Sequence, residues 1–491
     1  MDGTFQPSPP PHRAPAMVGA DLEVPLVGGG SARYVNLDYA ASTPALAAVW
    51  EGVQALLPWY SSVHRGAGFR SQVATAAYEG ARDAVRAFLS ARPEDAVIFT
   101  RNTTDAINLL ARCLAPGTAV VTTLMEHHAN LLPWRRLHQT RQLPVPIGHD
   151  RLLDDVRGAL RSLPAGRAAL LAVTGASNVT GEVWPIADLA SLAHEHGTRI
   201  VVDAAQLAPH RAVDMTGWDL DWVALSGHKL YAPFGAGALV GRPDWLATAD
   251  GYLAGGGAVA QVSAESVVWT GLPDRHEGGS PNVVGAYALG VASTSLREMS
   301  MNAISHEEAR LTEELWLQLA RVPGLVRYRT WPGEVDRLGI AAFNLPGRSP
   351  SEVAAVLSAE HGIGVRSGSF CAHPLLAHLA AEHGSGGSRG CGPDAPGAVR
   401  ASLGLGTTLE DIARLGQALR DITRRGARWT YRAAPDGTAI PVPDDRPLPG
   451  FLARTASPIA GRVGTSAPAS ALPANPRTIA TSATSAHALH P

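Results

Sequence analysis

Val223-Ala224-Leu225-Ser226-Gly227-His228-Lys229-Leu230-Tyr231 carries the single lysine of a 491-residue chain, in which the other 40 of the 41 Lys and Arg side chains are arginines. With even use of the two bases roughly twenty lysines would be expected. The composition is rich in Ala, Arg and Gly, with 51 glycines, and places Arg wherever only a positive charge is needed. Arg cannot replace Lys where a primary amine is needed, because guanidinium stays protonated and forms no imine. The apolar run Val223-Ala224-Leu225 ahead of a Ser-Gly-His turn puts this amine at the end of a short buried strand.

The same pattern recurs upstream. Ile200-Val201-Val202 leads to Asp203-Ala204-Ala205-Gln206, with Asp203 26 residues before Lys229. Residues 97–100, Val120-Val121 and residues 170–173 are further short apolar runs, each followed by polar residues or glycine. Helical stretches lie between several of them. Residues 74–89 place Ala77, Ala81, Val85 and Phe88 on one side, and residues 104–114 return to helix. Buried strands alternating with helices predict an α/β domain, a mostly parallel sheet covered on both faces. Ligands of such sheets sit beyond the carboxyl ends of the strands.

From about residue 300 a second pattern begins, with a helix over 306–319 and then strands and helices to about 425, read as a smaller C-terminal α/β domain. The expected organisation is a flexible arm (1–30), a large domain (31–300) whose N-terminal part is free to pack on the small one, and a small domain (301–432). The small domain holds a Gly-rich insertion (382–397). Residues 433–491 are expected to be a disordered tail, since the last stretch has almost no bulky apolar side chains to offset ordering entropy.

Composition excludes several classes. A net charge of −2 leaves no electrostatic footprint for nucleic acid. No apolar run approaches 18 residues, so no membrane span is expected. The N-terminus lacks the basic and apolar regions of a signal peptide. Three cysteines, Cys113, Cys371 and Cys391, are an odd, sparse set that suits a reducing cytoplasm and no disulfide framework.

Taken in order, the strand ends assemble a chemistry. Residues 97–100 lead into Arg101-Asn102-Thr103-Thr104-Asp105, where hydroxyls and backbone N–H groups at a helix start suit a phosphate, although taken alone they read first as an ordinary cap. After residue 123 come Glu126-His127-His128-Ala129-Asn130. Adjacent histidines point apart, so no metal site is expected, but one imidazole can lie flat on a ring. Asp203 at a buried strand end needs a cationic partner or hydrogen bonds, and a pyridinium N–H is such a partner. Phosphate site, ring-stacking His, strand-end Asp and strand-end Lys are together the parts of a pyridoxal phosphate site.

On these residues the chain resembles the class V aminotransferase-fold enzymes, most closely the SufS-like cysteine desulfurases and selenocysteine lyases. The resemblance runs from about residue 37 to 409. It is carried by Leu37-Asp38-Tyr39-Ala40-Ala41, Val63-His64-Arg65-Gly66, Asn102-Thr103-Thr104-Asp105-Ala106-Ile107-Asn108, Met125-Glu126-His127-His128-Ala129-Asn130 and Ser177-Asn178-Val179-Thr180-Gly181. Further carriers are Val202-Asp203-Ala204-Ala205-Gln206, Ser226-Gly227-His228-Lys229, Gly278-Gly279-Ser280-Pro281-Asn282, Arg366-Ser367-Gly368-Ser369-Phe370-Cys371-Ala372 and Arg400-Ala401-Ser402-Leu403.

The resemblance implies the fold type I architecture of pyridoxal-phosphate-dependent transferases. It implies that Lys229 binds the cofactor covalently, Asp203 pairs with its ring nitrogen, Gln206 bonds the ring hydroxyl and His127 stacks on the ring. Thr104, Ser226 and His228 would hold the phosphate, with Ser280 supplied by a partner subunit of a homodimer. Asn178 would sit near ring and substrate. Arg400 would grip the substrate carboxylate as a bidentate fork. Cys371 would take the sulfur of L-cysteine as a persulfide, for delivery to a sulfur-acceptor protein. Its thiolate would be favoured by neighbours such as Arg366.

Two departures stand out. Phe370 occupies the place where such desulfurases usually carry a His before the cysteine, and the segment from Cys371 to Arg400 is long and contains Cys391. They keep an alternative open: another class V-fold reaction, as an aminotransferase, epimerase or C–S lyase, that does not use Cys371.

Overall fold

The computed structural model describes residues 15–164, 166–333, 335–382 and 397–455. Its centre is a seven-stranded sheet of β1 (Ala96–Thr100), β2 (Ala119–Thr123), β3 (Gln139–Leu143), β4 (Ala169–Thr174), β5 (Arg199–Asp203), β6 (Trp222–Ser226) and β7 (Gly237–Gly241). The order across the sheet is β1-β7-β6-β5-β4-β2-β3. Strand β7 runs antiparallel to both its neighbours, and the pairs among β2 to β6 are parallel. Strands β2, β4, β6 and β7 are buried at every position, as strands covered on both faces must be.

Two strands were not visible in the apolar runs. Strand β3 reads Gln-Thr-Arg-Gln-Leu and sits at the sheet edge with mostly exposed or half-buried side chains, so it lacks the apolar signature. Strand β7 begins with Gly237 because a Cβ there would lie 2.5 Å from the Leu225 carbonyl oxygen and 2.7 Å from Asn102 Cα. That close approach brings the turn after β1 against the end of β6.

Strand register aligns the functional ends. Thr174 pairs with Asp203, and Asp203 with Ala224, so the carboxyl ends of β4, β5 and β6 open on one side.

The smaller unit is built on an antiparallel sheet in the order Val326–Arg327, Ile340–Asn344, Ala398–Ser402, Arg366–Gly368. Its core joins Phe343, Leu315, Val356 and Leu415 with Val35 and Leu37 from near the N-terminus. Val35–Asn36 pairs in parallel with Ile363–Gly364, which ties residues 35–37 to this unit. Helix Leu409–Arg425 starts with a capping box in which Thr408 and Asp411 satisfy each other's backbone N–H groups.

The stretch read as a disordered tail divides in two. Over 433–455 the chain is built: Ala439–Pro441 pairs with Tyr431–Ala433, the Ala439 N–H donates to Ser351 Oγ at 2.8 Å, and the Asp445 carboxylate accepts from the Gly28 N–H at 3.3 Å. Tertiary ties of this kind replace the apolar content that the sequence lacks. Residues 456–491, 1–14 and most of the Gly-rich insertion (383–396) lie outside the described residues. Among the described residues, no helix is long and apolar enough to cross a membrane.

Candidate active site

The strand ends and the small-domain sheet enclose a cleft of about 1110 Å³, part of it open to solvent. It is lined by Lys229, Asp203, Gln206, His127, Thr104, Ser226, His228, Asn178, Arg366, Cys371 and Arg400, which are all but one of the sequence-derived site residues. The exception is Ser280, which lines a different cleft with Tyr60, His64 and Arg65.

Lys229 ends the short helical turn Gly227–Lys229 that follows β6. The turn is pinned from two sides. Gly227 N–H donates to the Ala236 carbonyl at 2.8 Å, and the His228 carbonyl accepts from the Thr43 N–H at 2.8 Å. The lysine keeps part of its surface toward the cleft and is otherwise enclosed by protein. Burial pushes its amine down to about 8; Asp203 and Cys371 pull the other way, and Arg400 adds to the depression.

Asp203 is 4% exposed and accepts a 3.0 Å bond from the Ala205 N–H. Its pKa is raised by desolvation, against that bond and the Lys229 charge. A cationic N–H in the cleft would relieve this carboxylate. Gln206 is oriented by donating to the Ala40 carbonyl at 2.7 Å.

His127 is held by its neighbour: its Nδ1 accepts from the Ala129 N–H at 3.1 Å. Burial first, then the Lys229, His128 and Arg400 charges, push it down to about 3, so it is a neutral imidazole suited to lie over a ring. Behind it, buried Glu126 accepts from Thr123 Oγ1 (3.0 Å) and Asn130 Nδ2 (2.8 Å), which fixes the 123–130 turn. Burial pushes Glu126 up to about 8.

At the far end, helix Thr103–Cys113 points its first turn at the cleft. Thr103 was not singled out in sequence; its N–H and hydroxyl each lie 2.8 Å from Ser226 Oγ, joining the helix start to the end of β6. Thr104, Ser226 and His228 are gathered there, a set that favours an anion.

Asn178 sits in a turn closed by Ser177 Oγ, which accepts from the Thr180 N–H at 3.1 Å. The turn requires Gly181: its φ is +79°, and a Cβ would meet the Leu338 carbonyl oxygen at 2.9 Å. Arg400, 3% exposed, donates through Nη1 to the Asn178 carbonyl (2.8 Å) and through Nη2 to Asp38 (3.3 Å). Its buried Nε has no hydrogen-bond partner among the described residues. Asp38 lies inside a quoted motif, yet only the fold shows it reaching Arg400.

Cys371 is exposed on the cleft wall. Phe370 and Cys371 have φ of 52° and 53°. Left-handed backbone costs roughly 1–2 kcal/mol per residue for L side chains, so surrounding contacts must impose it.

The residues present fit pyridoxal phosphate: an amine on a strand-end turn, an enclosed carboxylate, a neutral imidazole and an anion-favouring helix start face one cleft. Among the described residues, no group of three or more His, Cys, Asp or Glu side chains offers a metal site.

Residues 35–415 match the aminotransferase class-V family, and the chain belongs to it. It is a pyridoxal-phosphate-dependent enzyme. Its curated relatives are more particular. A cysteine desulfurase of Dickeya dadantii is 36% identical over 407 residues, covering 81% of this chain and 93% of the relative. A probable cysteine desulfurase of Synechocystis sp. is 35% identical over 400 residues, covering 79% and 91%. Among solved structures, a cysteine desulfurase from Thermococcus onnurineus superposes with a TM-score of 0.71 at 30% identity, covering 80% of this chain and 95% of that one. One from Escherichia coli gives 0.66 at 32%, covering 79% and 94%.

Proposed function

We propose that this protein is a cysteine desulfurase that converts L-cysteine to L-alanine and takes the sulfur onto Cys371 as a persulfide. The observation that carries this is the placement of an exposed thiol, Cys371, on the same cleft as Lys229 and the buried Arg400 fork. Relatives named as cysteine desulfurases support it.

In this reading the large domain (31–300) holds the cofactor. Lys229 would bind it covalently, Asp203 would pair with the ring nitrogen, Gln206 would bond the ring hydroxyl, His127 would lie over the ring and Thr104, Ser226 and His228 would hold the phosphate. When bound, the cofactor supplies an electron sink for the pair left when the substrate Cα loses its proton. The Lys229 amine, lowered toward neutrality by burial, takes that proton.

The small domain (301–432) supplies Arg400 for the substrate carboxylate, with Arg366 beside it and Asn178 facing them from the large domain. The Cys371 thiolate attacks the substrate sulfur. A sulfur–sulfur bond forms, the Cβ–S bond breaks, its electron pair with a proton ends on Cβ as the methyl of alanine, and a proton returns from the Lys229 ammonium to Cα. Exposure of Cys371 lets a sulfur-acceptor protein reach the persulfide.

Ser280 lies off this cleft within one chain, so the reading includes a homodimer in which the second copy brings Ser280 to the phosphate. The sparse cysteines favour a cytoplasmic enzyme. Phe370, an apolar neighbour of the thiol, favours one second reading: a class V-fold transamination, epimerisation or C–S lysis without Cys371. Quantifying alanine, sulfide and keto acid from L-cysteine with wild type and Cys371→Ala separates the two. Unchanged alanine and sulfide in the variant overturn the desulfurase reading.

A further inference from the structure

We propose that Phe370 is a positioning residue that couples the carboxylate site at Arg400 to the placement of the Cys371 thiol. The amino-acid carboxylate at Arg400 is taken from the proposed function; the coupling itself does not need sulfur transfer.

The Phe370 ring covers one face of the Arg400 guanidinium, with Cζ 4.8 Å from the ring centroid. A cation over an aromatic face is attracted by the ring quadrupole, more strongly when water is excluded, and Arg400 is 3% exposed. With Nη1 committed to the Asn178 carbonyl, the unpartnered Nε and the Asp38-bound Nη2 form the remaining edge of the fork. An incoming carboxylate meets Nη2 in competition with Asp38 and reaches the enclosed, parallel Nε only when the fork shifts. The ring keeps the fork from turning away.

The same residue is tied to the thiol. Asn178 Nδ2 donates to the Phe370 carbonyl at 2.9 Å, so Arg400, Asn178 and Phe370 close a ring of contacts. The Cys371 carbonyl accepts from the His128 N–H at 2.8 Å. Both Phe370 and Cys371 are held in left-handed backbone by these ties. A shift of the Arg400 fork on taking up a substrate carboxylate therefore passes through the ring and Asn178 into the two residues that aim Cys371. A histidine at this position would be more polar and more hydrated, and would cover the guanidinium less well.

The test is the rate of iodoacetamide alkylation at Cys371 in cofactor-loaded protein, read on the Cys371 peptide by mass spectrometry, with and without L-alanine as a carboxylate-bearing ligand. Wild type should change rate at least threefold on adding saturating L-alanine. Phe370→Tyr, which keeps a ring over the guanidinium, should retain that response. Phe370→Ala and Phe370→Leu should show less than a 1.5-fold change, with unaltered cofactor absorbance and cooperative melting. KM for L-cysteine should rise several-fold in both. An L-alanine response in folded Phe370→Leu equal to wild type overturns the coupling, as does no response in wild type. Neither result bears on whether Cys371 is the sulfur acceptor, which the Cys371→Ala product analysis decides.

Discussion

Asp203 and Lys229 face the same cleft from neighbouring parallel strands: Asp203 ends β5, in register with Ala224 of β6, and Lys229 follows β6 by three residues. Their attraction opposes the burial that pushes the amine down to about 8.

Only the neutral amine bonds to an aldehyde, and its fraction grows as pH rises through the pKa. The rate of pyridoxal phosphate incorporation into apo protein should therefore rise with pH and level off above a midpoint near 8, well below the usual lysine value of about 10.4. Lys229→Arg keeps the charge and should abolish the visible absorbance band at every pH. Recovery of that band in the arginine variant would show that the amine is not the point of attachment.

Cys371→Ala should keep the cofactor absorbance and lose alanine and sulfide formation from L-cysteine by about 100-fold or more, as expected for removal of a nucleophile. Steady-state product assays read this directly.

Glu126 gives a stability signature. Burial raises its folded-state pKa to about 8, against about 4.3 in an unfolded chain. Between those values the folded protein holds a proton that the unfolded chain has released, so this residue's contribution to stability falls as pH rises. Glu126→Gln removes that slope. The melting temperature of the variant minus that of wild type should increase steadily from about pH 5 to about pH 8. A difference that stays flat would place the ionisation elsewhere.

Gly181→Ala puts a Cβ 2.9 Å from the Leu338 carbonyl oxygen at a φ of +79°. The expected loss is about 1–3 kcal/mol of stability, measured by denaturant unfolding. Because this turn carries Asn178, whose carbonyl holds Arg400, KM for L-cysteine should rise as well.

Much of the site was legible without coordinates. A lone Lys229 in an arginine-rich chain marks a place where an amine is required, and short apolar runs ending in Asp203 or Ser226 mark the strand ends. The illegible parts share one cause: their signal is not local. Strand β3 is polar because it lies at an edge. The ordered stretch over 433–455 is held by Ser351 and Gly28, residues far from it in the chain. Asp38 reaches Arg400 across a separation of 362 residues.

The sequence by itself singled out the candidate amine and thiol, because neither has a substitute among the other side chains. It also determined the α/β architecture, because buried strands and amphipathic helices announce themselves through local periodicity. Tertiary structure alone decided how those groups are set. The left-handed backbone at Phe370 and Cys371, the aromatic ring over Arg400 and the buried, unpartnered Nε of that fork arise where segments distant in the chain meet. Such contacts depend on desolvation and distance between segments far apart in the chain, and no local pattern encodes either.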